Sequence, residues 1–465
     1  MNCMLMNSTL NKKVWFLAWP AILQLSFQTT VGMITMVFVG NISPEGLAAV
    51  GLAQRVLLLM IGVLSALTVG TTALVAQYTG AGNPVRARQI ATQSITVGVA
   101  AAAVLAVITG LWSEKIIALM MVNKPDTEVI RLGGEYLRLV GFALVVEMPL
   151  LVINGALQGA GDTKTPMYFV IGMNFITLLA GYLLIFGPGF LPALGIKGAG
   201  LAEALSRSIA GIVALLTVFG GKLRLKLKMT DLGKWQPELM REILRIGLPS
   251  SGENLVRQLS MVIYTMLVAS LGTAAIAANQ IAMSVFSLSF MPGFGFSLAA
   301  TTLVGQSLGA GDERKAEEFG WGSNFLGSLL MGILGVGFYF LAHPLAALYS
   351  NSLQVQELAA KCIKVIAFAQ VPFAAVMILS GGLRGAGDAK YVMYTTIISQ
   401  CGIRLLLSFM ALWLGYGLVG IWVAMLVDSV TRGWLTARRF KSGRWKEFVK
   451  INNVQNMDTL TTAQG

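Results

Sequence analysis

The chain is 465 residues long, 55% hydrophobic and only 12% charged, with a mean hydropathy of +0.73. Soluble domains carry about 25% charged residues, so this composition excludes a soluble globular protein and points to a polytopic membrane protein. The net charge of +13 does not mark a nucleic-acid binder, because Lys and Arg gather in short segments between apolar runs, the pattern that orients membrane helices.

Several apolar runs approach or exceed the roughly 20 residues that span a bilayer as helix. Short alternating segments of the β-barrel kind do not occur, so the fold class is all-α. Cys3, Cys362 and Cys401 are too scattered for a disulfide framework, and His343 is the only histidine. His-based metal clusters and Ser-His or Cys-His catalysis are thereby excluded, and the chain is not expected to be an enzyme or to hold a metal or cofactor.

In chain order, Lys12 and Lys13 precede an apolar run from Val14 to Val39, too long for a signal peptide and followed directly by no small-residue cleavage site. It reads as an uncleaved first helix. A second helix ends near Gln77, a third fills about 89–111, and a charged loop is expected over 112–131. Helices four, five and six follow at 133–157, 167–186 and 198–220. A basic linker, 222–245, separates the halves, and its 228–240 part is expected to lie as an interfacial helix. Helices seven to twelve occupy 246–271, 274–308, 321–341, 358–383, 391–414 and 418–435. The predicted organisation is therefore a six-helix lobe (1–221), the linker, a second six-helix lobe (246–437) and a basic tail (438–465) with a disordered end.

The halves repeat one another. Leu157 to Met167 reads LQGAGDTKTPM and Leu383 to Met393 reads LRGAGDAKYVM, a shift of 226 positions. Val75 to Asn83 (VAQYTGAGN) returns as Val304 to Asp312 (VGQSLGAGD), and Pro20 returns as Pro249, both at a shift of 229. Matched lobes of a transport fold would keep such equal spacing, and a recent duplication would also show it. Basic segments follow every second helix, which puts both termini in the cytoplasm and gives the halves the same topology. A pseudo-twofold axis along the membrane normal is expected, with a site between the lobes near the midplane.

Gly-Ala-Gly followed by Asn or Asp occurs four times, each after a long apolar run. A phosphate-binding loop would need the Gly-x-x-x-x-Gly-Lys-[Ser/Thr] spacing, which is missing. Tight turns fit better, with Gly80, Gly159, Gly309 and Gly385 in left-handed conformation and Asn83, Asp162, Asp312 and Asp388 capping the departing helices.

Charged residues inside the helices are the remaining functional signal, since such groups in hydrocarbon usually face a cavity. Glu203 has Arg207 one turn on, Glu253 has Arg257 and Asp428 has Arg432, a spacing at which side chains meet. For Glu203 and Asp428 the simple reading is a pair that neutralises itself. Glu147, beside Pro149, has no arginine at helical spacing; it can carry a proton, or be held by a neighbouring helix as a structural hydrogen-bond donor. Glu253 and Arg257 are matched in the first half by Gln24 and Gln28, so one polar face recurs in both halves; Asn254 lies beside Glu253. Arg404 lacks a local partner and is expected to pair with a carboxylate on another helix, while Asn279 and Gln280 are weaker cavity candidates.

The linked stretches GLPSSGENL, LQGAGDTKTPM, LRGAGDAKYVM, VGQSLGAGD and ISQCGIR resemble the multidrug and toxic compound extrusion (MATE) family, over about Lys12 to Phe440. The resemblance implies a twelve-helix antiporter that exports small organic, often cationic, compounds in exchange for H+ or Na+ by alternating access. It further implies a multi-pass protein of the bacterial inner membrane, expected here as a monomer. The carboxylates that branches of the family carry in helices one, five and ten fall on Thr35, Gly181 and Phe373. Coupling must then use other groups, and Glu147, the repeat-mate of Phe373, and Glu253 are the leading candidates. Thr35 stays among the cavity candidates. A lipid-linked saccharide flippase of the same superfamily is the alternative; it calls for a cavity more cationic than Arg257 and Arg404 provide. An integral-membrane transferase would need carboxylates or histidines clustered at one membrane face, and a channel would need no coupling carboxylate.

Overall fold

The computed structural model describes residues 8–121, 126–187, 192–221 and 235–448. Helices α1 (Ser8–Gly40), α2 (Pro44–Gly80), α3 (Pro84–Met120), α4 (Thr127–Gly159), α5 (Lys164–Phe186) and α6 (Gly195–Phe219) form the first repeat. The second comprises α7 (Pro237–Ala269), α8 (Thr273–Gly309), α9 (Glu313–Phe340), a short α10 (Ala342–Ala347), α11 (Leu353–Gly385), α12 (Ala389–Ile397), α13 (Leu405–Trp413) and α14 (Gly417–Lys441). A π-helical segment, Ile398–Arg404, joins α12 and α13 into one span. Among the described residues eleven spans are long and apolar enough to cross a membrane. The remaining long helix is α7, whose apolar character is diluted by Glu238, Arg241, Glu242, Arg245, Glu253 and Arg257.

Several boundaries differ from the sequence expectation for physical reasons. The charged stretch expected as a loop over 112–131 is mostly helix: α3 continues to Met120 through a kink at Trp112 (φ −124°, ψ 15°), and α4 starts at Thr127. Asp126 caps α4 by accepting the Glu128 and Val129 N–H groups, and Arg131 bonds Glu128 at 2.6 Å and Glu135 at 3.1 Å, an i,i+3/i+4 ladder that favours helix. Residues 222–234 of the linker, with most of its expected interfacial helix, lie outside the described residues, and 237–245 are the first turns of α7. Arg438, Arg439 and Lys441 end α14 rather than starting a free tail. Beyond them Trp445 is buried and stacks on Phe440 at 4.6 Å; the expected disordered end, from 449, lies outside the described residues.

All four Gly-Ala-Gly stretches make the same turn. The N–H groups of Asn83, Asp162, Asp312 and Asp388 donate to the carbonyls of Tyr78, Leu157, Ser307 and Leu383, the six-to-one bond of a Schellman motif. The left-handed residue is the second glycine of each triplet (Gly82, Gly161, Gly311 and Gly387, φ 69–91°) and not the first, as the sequence had suggested. The first glycines still end their helices, and there they allow close approach. A Cβ on Gly80 would meet the backbone of Gln306, and one on Gly309 would meet the backbone of Gln77, so the ends of α2 and α8 cross reciprocally.

The chain forms two compact units. The first holds 23–75 and the described part of 84–247; the second holds 8–22, 76–83 and 248–448. The start of α1 therefore packs with the second repeat, where Gly295 of α8 lies on the Ala18 carbonyl, and the start of α7 packs with the first, where Gly247 lies on the Ala66 carbonyl. Both contacts sit beside the equivalent prolines, Pro20 and Pro249, whose missing N–H groups free a turn of each helix to bend. Apolar burial supplies little association energy between helices in lipid, so close packing across glycine and alanine does this work. In the second unit that packing surrounds Trp422 and Tyr264, both fully buried.

Candidate functional site

In the first unit, small residues bring α6 against α4 along most of its length. A Cβ on Gly200 would meet the Tyr136 ring at 3.2 Å, and one on Gly211 would collide with the Val146 carbonyl. That approach places Arg207 between two carboxylates. Its Nη1 donates to Glu147 Oε2 at 2.6 Å; its Nη2 and Nε donate to Glu203 Oε1 at 2.6 and 3.1 Å. The Tyr136 hydroxyl donates to the other oxygen of Glu203. Glu147 thus has a cationic partner supplied by a neighbouring helix, and Glu203 with Arg207 is not a self-contained pair. Two carboxylates share one guanidinium, leaving one negative charge uncompensated when all three are ionised.

This network borders a cavity of about 410 Å³ inside the first unit. Gln28, Thr29 and Thr35 of α1, Gln54 of α2, Asn174 and Thr177 of α5, and Glu203 and Arg207 of α6 supply its polar lining; Val31, Leu57, Leu58, Ile61 and Met173 are among the apolar residues. Thr35 returns its own hydroxyl to the Val31 carbonyl at 3.0 Å. Asn174 is 5% exposed, and its Nδ2 has no hydrogen-bond partner. Gln24, one turn before Gln28, is half-buried with Oε1 likewise unpartnered.

The second unit has a counterpart with the opposite balance. Glu253 accepts from Arg257 at 2.8 Å and from Arg384 at 2.6 Å, and Arg432 is near enough to act on it electrostatically. Arg432 itself pairs loosely with Asp428 at 3.7 Å, while the Ser399 hydroxyl donates to the Asp428 carboxylate. Asp428 therefore relies on a hydroxyl from the π-helical segment as well as on its own helix. Two acids against three arginines leave this group at +1 when all are ionised. Arg384 was missed in the sequence because it stands inside the turn motif and was read as part of the turn.

Arg404 does not find the carboxylate expected for it. Its guanidinium sits over the Tyr264 ring at 4.7 Å, and its Nε and Nη2 are buried without hydrogen-bond partners. Tyr264 in turn donates to Asn279 at 2.5 Å, and Trp422 Nε1 donates to the same oxygen at 3.2 Å, so Asn279 joins α7, α8 and α14. Gln280 is exposed, and Asn254 is half-buried on α7 next to Glu253. The three positions where family branches carry a carboxylate hold none: besides Thr35, Gly181 is buried near Phe38, and Phe373 packs on Phe286 at 5.0 Å.

The MatE family model matches residues 20–183 and 249–410, one match in each repeat. The chain belongs to the MATE family of multidrug efflux transporters. It is 31% identical to the "Probable multidrug resistance protein NorM" of Thermotoga maritima over 448 residues, covering 94% of both chains. It is 27% identical to the "Uncharacterized transporter YisQ" of Bacillus subtilis, covering 92% of this chain and 94% of that one. Among solved structures, a MOP superfamily transporter from Pyrococcus furiosus has the same fold at TM-score 0.87 and 20% identity, covering 94% and 96% of the two chains. An outward-facing multidrug resistance MATE transporter superimposes at TM-score 0.86 and 21% identity over 94% and 97%. The fold is the family's twelve helices in two lobes, and the relatives named are transporters and a probable multidrug resistance protein.

Proposed function

We propose that this MATE protein is a secondary active antiporter that exports small organic, often cationic, compounds in exchange for H+ or Na+ by alternating access. In this reading it acts as a monomer in the bacterial inner membrane with both termini in the cytoplasm. The observation that carries it is the pair of buried ion networks, one around Glu147 and one around Glu253. Carboxylates with 4–5% side-chain exposure inside membrane helices are costly to keep, and a bound ion that changes their charge can favour one conformation over another.

The arginine surplus around Glu253 is the one feature that favours a lipid-linked saccharide flippase, whose diphosphate would seek cations. Purified protein in proteoliposomes separates the readings. Export of organic cations driven by an imposed pH or sodium gradient, each tested alone, is expected, with ion dependence lost in Glu147→Gln, Glu253→Gln or both. Gradient-independent translocation of a diphosphate lipid, with no gradient-driven cation export, would replace antiport by flipping. Coupling intact in both variants would remove both carboxylates from the mechanism.

A further inference from the structure

The uncompensated charge in the first unit has a definite place to reside. Glu147 is turned away from the cavity and lies behind Arg207 with 4% side-chain exposure; Glu203 lines the cavity with 13%. Arg207 reaches Glu203 only through Oε1, and Oε2 accepts the Tyr136 hydroxyl. A phenol can donate to a carboxylate or accept from a carboxylic acid. Oε2 can therefore gain a proton while Tyr136 accepts it and turns its own O–H to the side chain of Gln54, its other partner, with no loss of the arginine contacts at Oε1. Across the cavity the buried side chain of Asn174 has an unpartnered Nδ2, a donor that a cavity water would satisfy, and an amide turn would present its oxygen in the same place.

Charge decides between the two units. Around Glu203 the titratable groups are Glu147 and Tyr136 of α4 and Arg207 of its own helix; α1, α2 and α5 add only uncharged side chains to the cavity. That set is anionic. The set around Glu253 carries a surplus of arginine and repels a cation.

We infer that Glu203, facing the cavity of the first unit, is the group that takes the coupling cation, and that Glu147 is the fixed counter-charge that holds Arg207 in place. The inference rests on the antiport reading for its physiological meaning, although the cation site itself does not. When a proton binds, the Oε2–H bond forms and the Tyr136 oxygen accepts it. When Na+ binds instead, Oε2, the Asn174 side-chain oxygen after an amide turn, and water are its oxygen ligands. Neutralising either acid removes the charge surplus, so Glu203→Gln and Glu147→Gln both abolish uptake. Tyr136→Phe tells them apart, because it removes a hydrogen bond made to Glu203 and to no oxygen of Glu147.

The test is substrate-free uptake by purified full-length protein. Proton uptake is followed with a pH dye across a titration, and radioactive sodium binding is followed at fixed pH. Uptake of one of these ions is expected in wild type and lost in Glu203→Gln. If the ion is the proton, Tyr136→Phe moves the uptake midpoint, since the hydrogen bond at Oε2 is gone. If it is sodium, the same variant changes the affinity several-fold. Uptake persisting in Glu203→Gln overturns the inference, as does a midpoint or affinity unmoved in Tyr136→Phe; the latter decides alone if Glu203→Gln fails to fold. A wild type that takes up the ion through Glu203 yet exports no organic cation would sink antiport and leave this site standing. Gradient-driven export that survives in Glu203→Gln does the reverse.

Discussion

Arg207→Met is the most direct perturbation of the first unit, because it keeps an unbranched chain of similar length while deleting the charge. The wild-type guanidinium makes three charge-assisted contacts at 2.6, 2.6 and 3.1 Å. Each such bond is worth about 1.5–3 kcal/mol net, but the sum overstates the loss, since an orphaned carboxyl can take up a proton instead of staying charged. The expected destabilisation is therefore about 3–5 kcal/mol near neutral pH, the range for breaking one side of a buried ion pair. Equilibrium unfolding in mixed detergent micelles measures this, with Arg207→Met/Glu203→Gln expected to recover part of the loss. A change under about 1 kcal/mol, or no recovery in the double variant, would refute the idea that this arginine neutralises the two acids.

In the second unit, Arg384→Ala should destabilise by about 2–4 kcal/mol, because it leaves Glu253 with a single partner, whereas Arg257→Ala, whose side chain is 39% exposed, should change stability by about 1 kcal/mol or less. Thermal unfolding of both variants in one detergent gives the ranking, and the reverse order would show that Arg257 is the main support of Glu253. Gly80→Ala puts a Cβ against the Gln306 backbone and should cost about 1–3 kcal/mol; Gly32→Ala points into open space and should be neutral or slightly stabilising, as monodispersity and melting temperature will report. Asp388 offers a pH test outside the membrane spans. Burial raises its pKa above the ordinary 3.8, against the opposing pull of Arg439 at 2.7 Å. A raised carboxyl pKa means that the folded state holds its proton longer than the unfolded chain, so this group's contribution to stability is full below about pH 4 and is lost as pH rises through the folded value. Asp388→Asn should flatten that part of a stability-versus-pH profile; an unchanged slope there would assign it to another group.

The helical spans were legible because twenty-residue apolar runs have few alternatives in a bilayer. Their ends were less so. The 112–131 stretch looked like a loop because charge density mimics solvent exposure, yet Glu128, Arg131 and Glu135 have the spacing of a helical ladder, a signal present in the sequence and overlooked. The i,i+4 pairs of Glu203, Glu253 and Asp428 could be read directly, since spacing determines them. Their third partners could not, because Glu147, Arg384 and Ser399 come from other helices and depend on how the helices pack. Arg404 shows the opposite limit: its place on an aromatic ring follows from a π-helical segment that no local pattern announced. In the turns, the motif is plain but the left-handed glycine lies two residues later than expected. The first glycine serves packing and the second serves the turn.

The crossing of α2 and α8 bears on the origin of the chain. Gly80 lies on the backbone of Gln306 and Gly309 on that of Gln77, positions related by the repeat shift of 229. A contact in which residue i meets j and j meets i is isologous, the form that twofold-symmetric homodimers use. Two copies of a half-length ancestor could have made it before any fusion joined them, with one glycine per gene serving both sides. In the fused chain the two glycines are separate loci, and each has to be kept in its own right, where a half-length gene would need a single codon for both.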